Sequence, residues 1–304
     1  MTIQITPLGE QQCQLGEGLH WDAVRHCLWG VDIHGCKVWR WSMDAPEMEE
    51  WRVPQRVGWV LPIRGNSKQV LLGLQEGVAC ADASTLKLLH WWQQPFASQQ
   101  GMRLNDAKAD ATGAVWCGSL NNDDENQPLG CLYRLGTDGD WRTVDTDYTV
   151  ANGPAINASQ TLLMHTDSGR RTIYRFSLDV TSGSLTNKQV WRVFSEAEGY
   201  PDGMCFDADG HLWVAHWGGS CISRFALNGR LLARLKFPTS HITNVCFGGP
   251  NLDRLFVSSA QAGLRQDQLS SEPLAGCVFE VSGHGTSGLP SLPAAAALAM
   301  VARF

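Results

Sequence analysis

Six polar residues open six similar stretches of this chain, and five of them carry oxygen donors of the kind a hard divalent cation prefers. They are Glu17, Arg56, Asn105, Asn152, Asp202 and Asn244, each leading into a short apolar run. Glu17 and Asp202 offer carboxylates, while Asn105, Asn152 and Asn244 offer carboxamide oxygens. Such donors suit Ca²⁺, Mg²⁺ or Mn²⁺, with water completing the coordination sphere. A cation with open positions polarises a carbonyl and lowers the pKa of bound water, which is what ester hydrolysis requires. Arg103, two residues before Asn105, supplies a planar donor for hydroxyls or a carbonyl.

Taken singly, an Asp-Gly or Asn-Gly pair reads as a hairpin turn. Here the turns DATG, NASQ and DADG already follow within the same stretches, so the leading residues answer to something else. Asp202 stands in Tyr200-Pro201-Asp202-Gly203, where proline stiffens the approach and glycine admits close contact. Arg56 and Asn244 read as the structural members of the set. No G-x-S-x-G elbow, H-E-x-x-H helix or P-loop pattern competes. His165, His216 and His241 each stand alone near a strand end and read as packed or hydrogen-bonded residues, with His216 beside Gly218-Gly219 the one closest to a functional context.

The elements that must bring these residues together are strands. The runs VWCGSL, LLMHTDS, LWVAHW and LFVSSA are short, rich in Val, Trp, Leu and Phe, and bounded by turn residues. The stretches recur at roughly 45 residues, within the range of propeller repeats. Helical periodicity is confined to Ser195–Glu198 and the Ala-rich terminus. The expected fold is therefore all-β: a six-bladed β-propeller of four-stranded antiparallel blades, whose inner strands all start at one face of a central channel. One such domain is expected over 1–304, with 283–304 an irregular or tail segment. Most of the 13 tryptophans are expected between blades, with Trp217 a candidate for the border of a pocket.

A formal net charge of -6 gives no basic footprint, which argues against a nucleic-acid partner. The longest apolar tract, from Pro293 to Phe304, is shorter than the ~20 residues a membrane helix needs. The ten cysteines are scattered singly without C-x-x-C spacing, and the start MTIQITPLGEQQ lacks a secretion-signal pattern. Reduced, mostly buried thiols in a cytoplasmic protein are the expectation, with no bearing on oligomeric state.

At these residues the sequence resembles the regucalcin/gluconolactonase family, also called the senescence marker protein and luciferin-regenerating family. The resemblance runs through Leu15-Gly16-Glu17-Gly18, Arg103-Leu104-Asn105-Asp106, Asn152-Gly153, Pro201-Asp202-Gly203-Met204, Asp207-Ala208-Asp209-Gly210-His211-Leu212-Trp213 and Phe247-Gly248-Gly249. Ala215-His216-Trp217-Gly218-Gly219 is similar to the bacterial sugar-lactone hydrolases of the family. The resemblance implies a six-bladed propeller with one divalent metal ion, Ca, Zn, Mg, Mn or Fe, held by Glu17, Asn152 and Asp202. It implies Asp202 as the proton-transferring residue, Arg103 and Asn105 as contacts to a sugar lactone, and Asp123 in the place of a substrate-contacting Glu. The implied activity is hydrolysis of an aldonolactone such as gluconolactone or a pentonolactone. A non-catalytic metal-binding scaffold and a metal-dependent esterase or phosphotriesterase are the alternatives.

Overall fold

In a computed structural model, which describes residues 2–299 apart from 44, 46, 92–94 and 96–100, the strand-forming runs fold as their alternation of apolar and turn residues predicts. Among the described residues the strands form six four-stranded antiparallel sheets. The first is a simple meander of Gly16–Asp22, Cys27–Asp32, Lys37–Ser42 and Met48–Arg52. The next four blades repeat that order, with inner strands Val57–Ile63, Met102–Ala109, Ala151–Ile156 and Tyr200–Phe206.

The sixth blade closes the ring by borrowing. Ile242–Gly248, Arg254–Ser259 and Phe279–Ser282 supply three strands, and the amino-terminal strand Gln4–Pro7 is its outer strand. Gln4 pairs with Ser282 and Pro7 with Phe279, so the two ends of the propeller are held by backbone hydrogen bonds. A closed ring leaves only short outer edges unpaired.

The core is divided among the blade seams. One apolar cluster joins Trp29, Val31 and Val38 of the first blade to Val60, Val70 and Leu72 of the second. Another sets Trp213, Ala215 and Ile222 of the fifth against Val245, Phe247 and Phe279 of the sixth. Burying one such side chain contributes roughly 1.5–3 kcal/mol, and every seam repeats the contribution. Trp21, Trp29, Trp116 and Trp213 are fully buried, as expected of rings that fill wedge-shaped gaps.

Three of those rings also have a fixed polar partner. The indole of Trp29 donates to Asp22, that of Trp116 to Asp110 at 2.8 Å and that of Trp213 to Asp207 at 2.9 Å. Each aspartate ends or follows an inner strand and also caps the next turn through backbone N–H groups. Each aspartate thus fixes the turn at which its inner strand ends.

The carboxyl-terminal segment is not loose in its described part. Ala294 bridges Ile63, and a 3₁₀ turn over Ala296–Ala299 buries Leu298 against the second and third blades. The rest of the Ala-rich tract lies outside the described residues. Ser195–Glu198 forms only a 3₁₀ turn, Glu196–Glu198, and a short helix at Gln266–Ser271 was not evident from periodicity. All ten cysteines are free thiols, seven of them buried. Among the described residues no helix is long and apolar enough to cross a membrane.

Candidate active site

Each inner strand loses its regular pairing near its first turn's worth of residues. The register slips between Glu17 and His20, Val57 and Trp59, Leu104 and Ala107, Asn152 and Ala155, Pro201 and Met204, and Ile242 and Asn244. A bulge bends the strand and re-aims the side chains around it. The polar residues singled out in the sequence sit in or beside these bulges in five of the six blades. In the second blade the position is Gly58, ahead of which Arg56 lies outside the strand. A Cβ on Gly58 would stand 2.2 Å from the Asn105 carbonyl oxygen, so the neighbouring backbone leaves no room for a side chain there.

Glu17, Arg103, Asn105, Asn152 and Asp202 line one cavity of about 470 Å³, together with His34, Glu125, Ser168, Tyr200 and Trp217. The metal and substrate sets expected from the sequence therefore converge, with one exception. Asp123 does not line the cavity and instead sits against Gly101, while Glu125 and Asn126 further along the same loop do line it. Trp217 borders the pocket as expected, lying flat on His241 with ring centroids 4.1 Å apart. His216 does not line it: its Nδ1 bonds the Glu198 carbonyl and its ring packs on Phe194.

The amides form a directed chain. Arg103 Nη1 donates to Asn105 Oδ1 at 2.5 Å, and Asn105 Nδ2 donates to Asn152 Oδ1 at 2.7 Å. Asn152 Nδ2 donates to Ser168 Oγ at 3.0 Å, and Ser168 Oγ–H donates to the Pro201 carbonyl at 2.6 Å. Because the serine proton is committed to Pro201, its oxygen must accept from Asn152, which leaves the Asn152 carbonyl oxygen to accept from Asn105. Arg103 also reaches Asn122 Oδ1 at 3.0 Å and the Leu104 carbonyl, not Asp106.

Three carboxylates are buried here: Glu17, Asp106 and Asp202. Burial first, and then the charges of Glu17 and Asp106, hold Asp202 well above the usual carboxylate range. Burial and Asp106 push Glu17 up to about 7. Asp106 is raised by burial. Against them stand Arg103, which burial lowers to about 10, and Lys108, whose ammonium Asp106 holds above its ordinary value in spite of burial.

Their remaining bonds separate the three acids. Asp106 has both oxygens engaged, Oδ1 by the Ala107 N–H and Oδ2 by Asn244. Glu17 is held through Oε2 alone, by the Gly18 N–H at 3.0 Å and Asn244 at 2.8 Å. Among the described residues, Asp202 Oδ1 is buried with no hydrogen-bond partner. A buried, unpartnered carboxylate oxygen beside two further acids is costly unless a cation compensates it, so the donor set fits a hard divalent ion. Glu17 Oε1 and Asp202 Oδ1 accept no hydrogen bond among the described residues, and Asn152 Oδ1, which takes one from Asn105, keeps a second lone pair; all three residues line the cavity, which Asp106 does not.

A second acidic group, Asp207, Asp209 and His211, lies in the DADG turn at the far end of the fifth inner strand. Its carboxylates are taken by Trp213 and by Arg224, which reaches Asp207 Oδ2 and Asp209 Oδ2 at 2.7 Å each. That cluster is a turn whose carboxylates are already engaged by Arg224, Trp213 and backbone N–H groups.

Sequence reasoning missed Ser168 and the support role of Asp106, and underrated Asn244. Asp106 and Asn244 stand within the quoted stretches, but only pairing across blades shows what they touch.

A propeller ring with buried acids and amides at one mouth of its channel is the class the fold and site define. The chain belongs to the SMP-30/gluconolactonase/LRE-like region family, whose model matches residues 15–261. It is 28% identical to regucalcin of Danio rerio over 297 residues, covering 95% of this chain and 97% of that one. It is 32% identical to pentonolactonase XacC of Haloferax volcanii over 272 residues, covering 85% of this chain and 86% of that one. Among solved structures, a luciferin-regenerating enzyme superposes with a TM-score of 0.91 at 27% identity, covering 97% of this chain and all of that one. A calcium-binding regucalcin from Agrobacterium tumefaciens shares the fold with a TM-score of 0.90 at 24% identity, covering 96% and 97%.

Proposed function

We propose that this protein is a metal-dependent lactonase that opens a sugar lactone, such as gluconolactone or a pentonolactone, to the aldonic acid. The reading rests above all on the buried Asp202 oxygen without a partner, set among Glu17, Asn152 and Asp106 at the mouth of the channel. The pentonolactonase name of a relative that spans most of the chain supports the substrate class.

Glu17, Asn152 and Asp202 would hold the ion, which when bound supplies Lewis acidity to the lactone carbonyl and acidifies water. Arg103 and Asn105 bind and orient the ring: the guanidinium, cationic at neutral pH, keeps donors toward hydroxyls while Asn122 and Asn105 fix its plane. Asp202 takes the proton of the attacking water on its carboxylate and returns it to the ring oxygen as the C–O bond breaks, leaving acid and hydroxyl as product. Trp217, stacked on His241, closes one wall against solvent.

The test is acid release from a panel of aldonolactones by chelated protein, with divalent metals restored one at a time. Asp202→Asn and Asn152→Ala should each reduce turnover by at least about a hundredfold. Turnover unaffected by chelation, or by both substitutions, would rule the mechanism out.

A further inference from the structure

Asn244 comes from the sixth blade, which closes the ring, yet its side chain reaches the first and third blades. Its Nδ2 donates to Glu17 Oε2 at 2.8 Å and to Asp106 Oδ2 at 3.1 Å. One amide group has two protons, so it serves both acids at once. The opposite rotamer of the amide would point Oδ1 at two carboxylates, so the orientation is determined by its neighbours. The side chain is fully buried. It is also wedged: a Cβ on Gly203 would stand 2.4 Å from Asn244 Nδ2 and 2.6 Å from its Cγ. Gly203 has an ordinary backbone conformation, so glycine is needed there for space, and what occupies that space is the Asn244 amide.

Among the described residues Glu17 has two anchors, the Gly18 N–H and this amide, and both bind Oε2. Among the described residues Oε1 accepts no hydrogen bond. Asp106, with both oxygens engaged, braces the amide from the other side. The adjacent Thr243 ties the same two blades together differently, through its hydroxyl to the Gly16 carbonyl, and touches no carboxylate.

We propose that Asn244 is a positioning residue for the metal site: it locks the Glu17 carboxylate through Oε2 so that Oε1 is presented to the cation. The inference rests on the metal-dependent reading above and goes beyond it by assigning a residue that does not itself ligate. Closure of the ring and assembly of the site then become one event, because the last blade completes the first blade's ligand.

Calorimetric titration of chelated full-length protein with calcium and, separately, manganese tests this. Asn244→Leu keeps the volume and removes the donor, and should weaken binding of whichever ion binds the wild type by about tenfold or more. Thr243→Val removes the other seam bond and should leave affinity within about twofold, since its loss is not aimed at a ligand. Asn244→Ser, which makes no steric demand, takes the place of Asn244→Leu if the latter does not fold, with the same tenfold expectation. Equal weakening in the Asn244 and Thr243 variants, or unchanged affinity in the Asn244 variants, overturns the assignment while leaving the lactonase reading intact. A wild-type protein that binds neither these ions nor magnesium, zinc or ferrous iron titrated in the same way overturns both.

Discussion

Asn105 and Asn152, from the third and fourth blades, are joined amide to amide at 2.7 Å, with Nδ2 of the first donating to Oδ1 of the second. The bond places a residue expected on the substrate side directly against one expected on the metal side. In the proposed mechanism, substrate orientation and metal coordination would therefore share one hydrogen-bonded chain that runs from Arg103 to Ser168.

Arg103→Lys tests the first link. A lysine ammonium cannot serve Asn122, Asn105 and the Leu104 carbonyl in one plane as the guanidinium does. Losing a hydrogen bond to a charged group costs about 1.5–3 kcal/mol, so kcat/KM for the best lactone is expected to fall at least about tenfold. Steady-state kinetics at saturating metal give the answer, and an unaltered kcat/KM would remove Arg103 from the substrate side.

Ser168→Ala tests the last link. Without the hydroxyl, Asn152 Nδ2 and the Pro201 carbonyl both lose a buried partner, at about 1–3 kcal/mol each, and the Asn152 amide is free to turn. Metal affinity is expected to drop about tenfold by calorimetry. Affinity equal to the wild type would show that Asn152 is oriented by other means.

Metal binding should be pH-dependent in a defined sense. In the metal-free protein burial and Asp106 hold Glu17 up at about 7, and burial and Glu17 hold Asp202 well above the usual carboxylate range. While these acids are protonated the ion must displace their protons, so affinity should climb as pH rises from about 5.5 to 7.5 through the Glu17 value, with proton uptake by buffer on binding. Titrations in buffers of different ionisation enthalpy read the released protons directly. A flat affinity across that window would contradict the raised carboxylates.

Stability should fall on acidification for an unrelated reason. His165 is fully buried, neither ring nitrogen has a hydrogen-bond partner, and its ring packs edge-on against Tyr148 at 4.7 Å. Burial, and then Lys188, depress its pKa to about 3. A depressed histidine keeps the unfolded state as the better proton binder between 3 and 6.5. Its stabilising effect is thus complete above about 6.5 and is lost as pH falls, by up to about 1.4 kcal/mol per pH unit. Urea unfolding of wild type and His165→Phe between pH 7 and 5 should show a shallower loss in the variant; parallel curves would sink the idea.

Much of the architecture was legible because it is written in local patterns. Alternating apolar runs bounded by DATG and DADG specify strands and turns, and their recurrence specifies a ring. Glu17, Asn152 and Asp202 stood out because each leads an equivalent run, and the cavity gathers all three. Asp123 shows where that logic weakens: it sits on a loop rather than an inner strand, so no repeat position dictates where its side chain goes, and Glu125 lines the cavity instead.

What the sequence by itself determined is the periodic part, the strand pattern and the oxygen donors at the head of each repeat, because period and residue type are properties of neighbours along the chain. What only the tertiary structure decided is which acid is free and which is spoken for. Asp106 has as good a carboxylate as Asp202, but the Ala107 N–H and Asn244 occupy both its oxygens while Asp202 Oδ1 has none. Asn244 lies 138 residues from Asp106 and 227 from Glu17, so its donors meet those acids only when the ring has closed.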